Sequence, residues 1–130
     1  MYATFYSVEY PLVPQEEAVT PEGTVGKVDR LIKRENSMAL NDSGVVCKFS
    51  RNFTTTERDE VLFDADFSRL LAVRARIVTL ERHFNNQRGF DREDDRLPYE
   101  LPEFDTALDE YYEGRGCCSD GVVPQRRISE

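Results

Sequence analysis

The segment from Asp66 to Gln87, DFSRLLAVRARIVTLERHFNNQ, constrains the fold more than any other part of the chain. Leu70, Val73, Ile77, Leu80 and Phe84 recur three and four residues apart, with Phe67, Leu71 and Val78 widening the stripe, as one face of a helix requires. At roughly 1.5 Å per residue such a helix is about 30 Å long. Asp64 and Asp66 flank a single alanine, a poor helix interior but a good place for caps, so the helix is expected to begin there. Thr56, Glu57 and Asp59 offer an earlier helical start, with Val61, Leu62 and Phe63 in its first turns or in a short strand. Asn85, Asn86 and Gly89 mark the end of the long helix.

A helix with one apolar face needs something to cover. Residues 1–10 alternate Tyr2, Thr4, Tyr6, Val8 and Tyr10 against Ala3, Phe5, Ser7 and Glu9, a period of two that predicts a strand ending at Pro11. Residues 15–23 read as a loop. Residues 24–36 suit either a short helix or a strand; Gly26 and the β-like neighbours favour strand. Asn41, Asp42, Ser43 and Gly44 are turn formers, and a hairpin is expected across them into residues 44–56. The predicted fold is α+β: a small, mainly antiparallel sheet covered by one long amphipathic helix, with an acidic C-terminal arm. Residues 1–90 form the single core domain and are expected to fold alone. Residues 91–130 form the arm, with a short helix at 102–113 and an irregular tail.

Charge sharpens this division. The chain carries a net charge of -8, and residues 91–113 alone hold ten acids against Arg92 and Arg96. An acidic segment of this kind repels nucleic-acid backbones and anionic membranes and suits a protein partner with a basic or mixed surface. Asp91, Glu93, Asp94, Asp95, Tyr99, Phe104, Tyr111 and Tyr112 are therefore the candidate partner-binding residues. The long helix leaves a homo-oligomer open, although packing on its own sheet is favoured. Neither nucleic acid nor a membrane is expected as a direct partner. The N-terminus shows no export signal and no stretch is apolar enough for a span, so an intracellular, soluble protein is expected, in the cytoplasm or in a particle.

Chemistry-bearing motifs are sparse. Asp91, Glu93 and Asp95 follow the spacing of a calcium loop, but Arg96 stands where the turn glycine belongs and Glu103 falls one place beyond the closing glutamate. Gly23 to Lys27 lacks the glycine spacing and hydroxyl of a phosphate loop. His83 is the sole histidine; a Cys47–His83 nucleophilic pair is formally available. Cys47, Cys117 and Cys118 make no CxxC pair and read as free thiols. No catalytic residue, metal or cofactor is assigned. The expected function is thus a non-enzymatic interaction or structural subunit of a multi-chain assembly, such as a virus particle. An acidic regulator occupying the basic, nucleic-acid-binding surface of a target is the alternative, and a small hydrolase the third.

Overall fold

A computed structural model of the protein describes residues 23–45 and 56–129. Among the described residues five helices follow one another: α1 (Val28–Ser43), α2 (Thr56–Phe63), α3 (Phe67–Gln87), α4 (Phe104–Arg115) and the single-turn α5 (Arg126–Ser129). No strand occurs among the described residues. The α+β expectation is therefore corrected to a helical unit. The strand expected over residues 1–10 and most of the hairpin over 44–56 lie outside the described residues.

Residues 24–36, read as strand, lie largely in α1. Gly26 sits ahead of the helix at φ +69°, so it exacts no penalty from the helix interior. Val28, Ala39 and Leu40 then fall on the buried side. Asn41, Asp42 and Ser43, read as a turn, form the last turn of α1, where the Ser43 hydroxyl donates to the Ala39 carbonyl at 2.8 Å.

The start of α3 follows its local chemistry. Asp64 adopts a left-handed conformation at φ +48°, which separates α2 from α3. Asp66 caps α3, its carboxylate accepting from the Arg69 amide at 2.9 Å and from the Ser68 hydroxyl at 2.6 Å. Those two bonds, the Ser68 one foremost, hold the Asp66 carboxyl below its ordinary pKa. Glu60 ties the two helices by accepting from the Phe67 amide at 2.8 Å.

The rotation of α3 about its axis differs from the sequence expectation. Leu70 is buried, but Val73, Leu80 and Phe84 are 41%, 42% and 54% exposed. The face turned inward carries Thr79, buried, together with Arg82 and Asn86, half-buried. With no sheet among the described residues to receive the apolar stripe, polar contacts orient the helix instead.

The core lies between α1, α3, α4 and the segment after α4. Leu40, Leu70 and Tyr112 are its most deeply buried large side chains, joined by Val28, Ala39, Leu108 and Val123. Gly114 lets α4 approach α1 closely: a Cβ there would stand 2.6 Å from Ile32 Cδ1. Beyond residue 90, Leu108, Tyr112, Arg115, Gly121 and Val123 are buried. No helix among the described residues is long and apolar enough to cross a membrane.

Candidate functional site

Two polar networks meet where α4 crosses α1 and α3. In the first, Arg115 ends α4 with its side chain only 6% exposed. It donates to Glu35 Oε2 and to Asn36 Oδ1, each at 2.5 Å, while the Tyr111 hydroxyl donates to the same Glu35 oxygen at 2.8 Å. A fixed guanidinium and a phenol thus share one carboxylate from α1, an arrangement that satisfies a charge otherwise costly to shield from water. The Arg115 guanidinium also lies 5.5 Å from the centre of the Tyr111 ring.

The second network joins α3, the loop after it and α4. Arg82 bonds Asp95 through Nη1 at 2.9 Å, with Nη2 2.7 Å from the other carboxylate oxygen. The Tyr112 hydroxyl donates to Asp95 Oδ2 at 2.5 Å. Arg82 and Arg92 lie 5.7 and 5.5 Å from the centre of the Tyr112 ring. Arg92 further bonds Asp109 at 2.6 Å and the Ser119 carbonyl at 3.1 Å.

The segment following α4 is locked to this junction through its backbone. Arg82 Nε donates to the Gly121 carbonyl at 2.8 Å, and the Asn86 carboxamide both donates to that carbonyl at 3.3 Å and accepts from the Val123 amide at 3.0 Å. Arg76 donates to the Ile128 carbonyl at 3.0 Å. Gly121 has φ +76°, and a side chain there would collide with Arg82 and the Tyr112 phenol. Residues 121–128 are in this way tied to α3.

Between the networks, Val78, Thr79, Arg82, Tyr111, Tyr112, Arg115 and Cys117 line a cavity of about 20 Å³, room for a single water. The buried Nε of Arg115 has no protein acceptor. Burial pushes the pKa values of Tyr111 and Tyr112 well above the ordinary phenol value, reinforced by the Glu35 charge at Tyr111 and by the Asp95 hydrogen bond at Tyr112. Burial likewise raises the Cys117 thiol, against the opposing pull of Arg82, Arg115 and Arg127. At Arg82 burial disfavours the charge, but the hydrogen bond and charge of Asp95 outweigh it and the guanidinium is held above its usual value. Near neutral pH the site therefore holds protonated phenols, a protonated thiol and permanent cations. Its phenol and guanidinium donors are engaged by the Glu35 and Asp95 carboxylates.

The structure distributes the eight expected partner-binding residues between two environments. Asp95 and Tyr112 meet within the second network and Tyr111 joins Glu35 in the first, so these three side chains are engaged inside the fold. Phe104 is half-buried at the start of α4, and Asp91 is half-buried in the preceding loop. Glu93, Asp94 and Tyr99 are exposed. Of the acids that follow the calcium-loop spacing, Asp91 accepts from the Glu93 amide at 2.8 Å, and the neighbouring Asp94 accepts from the Asp91 amide at 3.0 Å. His83 lies 3.1 Å from Gln87 through Nε2, and Cys47 lies outside the described residues. Sequence reasoning missed Glu35, Asn36, Asn86, Arg115 and Gly121. The one available signal was Arg115 at the end of an apolar helical face, where a buried cation must have a partner elsewhere.

Comparison with protein families alters the functional reading. The whole chain, residues 1–130, matches the family model described as aldehyde ferredoxin oxidoreductase, domains 2 & 3. A comparison with curated proteins gives no match. The family match overturns the expectation of a non-enzymatic structural or viral assembly subunit: it points to an oxidoreductase family. That expectation leaned on missing motifs, but in redox enzymes a bound group carries the difficult chemistry, and the protein around it needs no triad or phosphate loop.

An iron–sulfur cluster is one group suited to one-electron transfer, and it takes four thiolates. The chain has three cysteines, Cys117 borders a cavity of water size, and no group of three or more His, Cys, Asp or Glu among the described residues is placed to hold a metal ion. The described residues do not fit such a group, and no redox step is assigned to them. On the match over its full length, the chain belongs to the aldehyde ferredoxin oxidoreductase family, in the part described as domains 2 and 3.

Proposed function

We propose that the protein serves in the oxidation of an aldehyde to a carboxylate, with ferredoxin as the electron acceptor. The single observation carrying this reading is the family match across all 130 residues. In that reaction aldehyde and water yield carboxylate, three protons and two electrons, and two one-electron carriers each take one electron. The role supported for the described residues is positional. Arg115 ties α4 to α1 through Glu35, and Arg82 ties α3 to the following loop through Asp95 and to the C-terminal segment through the Gly121 carbonyl.

Of the eight candidate partner-binding residues, Glu93, Asp94 and Tyr99 are exposed and open to a protein partner with a basic or mixed surface. The test is aldehyde-dependent reduction of ferredoxin, or of a viologen dye in its place, by anaerobically prepared full-length protein whose metal and sulfide content has been measured. Reduction that requires the aldehyde is expected. Metal-replete protein that passes no electrons from aliphatic or aromatic aldehydes to either acceptor would overturn the reading.

A further inference from the structure

Cys117 and Cys118 are adjacent in the chain, and both thiols are free. Backbone bonds on either side fix their place in the fold. The Cys117 amide donates to the Tyr112 carbonyl at 2.9 Å, the Cys118 amide donates to the Val122 carbonyl at 2.8 Å, and the Cys118 carbonyl accepts from the Gly121 amide at 2.9 Å. Cys118 is exposed, and Cys117 is half-buried at the edge of the cavity. We propose that this pair is a binding site for trivalent organoarsenicals of the form R–As(OH)2, which it takes up as a cyclic dithioarsenite.

Consecutive Cα atoms stand about 3.8 Å apart, below the ~4.4–6.8 Å that a disulfide spans, so the two sulfurs do not close on each other without strain. An atom inserted between them lengthens the link and relieves that strain. Sulfur ligands select soft, thiol-seeking centres. A structural zinc ion takes four ligands, whereas no group of three or more His, Cys, Asp or Glu among the described residues is placed to hold a metal ion. An arsenic atom that already carries an organic substituent needs only two sulfurs. In the exchange two As–O and two S–H bonds break, two As–S and two O–H bonds form, and two waters leave. Arsenic stays trivalent and neither sulfur is oxidised. Burial raises the Cys117 thiol above its ordinary pKa while Cys118 faces solvent, so Cys118 makes the first bond and Cys117 closes the ring. The cavity behind Cys117 is of water size, which leaves the organic group on the solvent side.

The test is binding of phenylarsine oxide to the full chain with its thiols reduced, followed by native mass spectrometry. One adduct per chain is expected, heavier than the protein by the hydrated arsenical less two waters. Ethanedithiol should release it, and glutathione at the same thiol concentration should not. Peptide mapping of the unsubstituted chain should place the arsenic on Cys117 and Cys118, a result that needs no variant to fold. Cys117→Ser and Cys118→Ser should each weaken binding by about a hundredfold or more, because the second bond is then no longer intramolecular. Cys47→Ser should leave binding unchanged. A chain that takes up the arsenical only when unfolded in urea, an adduct that maps to Cys47, or one that survives either of the other serine variants overturns the proposal. None of these outcomes depends on whether the protein oxidises aldehydes.

Discussion

The two flanks of α3 are held by opposite means. At its N-terminal end α2 packs with little burial: Val61 is 83% exposed and Leu62 55%, and the junction relies on the Asp66 cap and the Glu60 bond to Phe67. Toward its C-terminal end, Arg76, Arg82 and Asn86 grasp the segment after α4 through its backbone, and Tyr112 and Val123 are buried beside them. The first flank has apolar residues in a helical pattern and buries few of them; the second has polar and charged residues, half-buried and bonded to the chain that packs on them. In this molecule the direction of a helix is decided by where its polar side chains find partners, and hydrophobic periodicity alone misjudges it.

The largest test of that contrast is removal of the second flank. Truncation after Phe90 deletes Leu108, Tyr112, Arg115 and Val123 and leaves Arg82 and Glu35 without partners. Cooperative urea unfolding should be lost, and a truncated chain that still unfolds in one sharp transition would show that the first flank is self-sufficient. Arg115→Ala leaves Glu35 with the Tyr111 hydroxyl but no counter-charge in a partly buried setting and should cost about 3 kcal/mol in chemical unfolding, the low end for breaking a buried pair because Glu35 is still 26% exposed. Gly121→Ala meets both a left-handed backbone and the Arg82 and Tyr112 side chains; about 2 kcal/mol is expected.

Alkaline titration probes the same flank without mutation. The raised Tyr111 and Tyr112 values mean that the folded chain keeps protons which the unfolded chain releases above pH ~10. Their contribution is whole below that pH and is lost as pH rises through the folded values, with Cys117 acting in the same sense from its own ordinary value upward. Midpoints of unfolding should therefore fall above pH 10, and less so in Tyr112→Phe. The smallest effect is expected at Leu80→Asp. With Leu80 42% exposed, monomer stability measured in dilute solution should change by no more than about 0.5 kcal/mol; a loss of several kcal/mol would mean that the apolar stripe is internal after all.

Local features were legible in the sequence. The break between Asp64 and Asp66 and the span of α3 agree with the structure because capping and termination act within a few residues. The short helix expected at 102–113 appears at Phe104–Arg115. Helix α1 was misread because Gly26 was counted in its interior when it stands before the first turn. The candidate site was legible only in fragments. Glu35 and Arg115 are 80 residues apart, and Arg82 and Asp95 are 13 apart; with 25 acids and 17 bases in the chain, charge alone selects no pair. Asp95, Tyr111 and Tyr112 stand out by their chemistry, but their partners inside the fold, Arg82, Glu35 and one another, are set by tertiary packing.

The hold of α3 on the C-terminal segment has an evolutionary consequence. Gly121, Val123 and Ile128 are read through a carbonyl, an amide and a carbonyl, none of which depends on side-chain identity. Substitutions among the outward residues of this stretch, such as Gln125 or Arg126, leave every one of those bonds intact. Insertion of a single residue between Gly121 and Ile128 would shift one set of backbone groups past Arg76 while Arg82 and Asn86 kept the other. Such a segment can vary in composition at its outward positions while its length stays fixed, and the burden of invariance falls on Gly121, on the buried Val123 and on the three polar side chains of the helix that measures it.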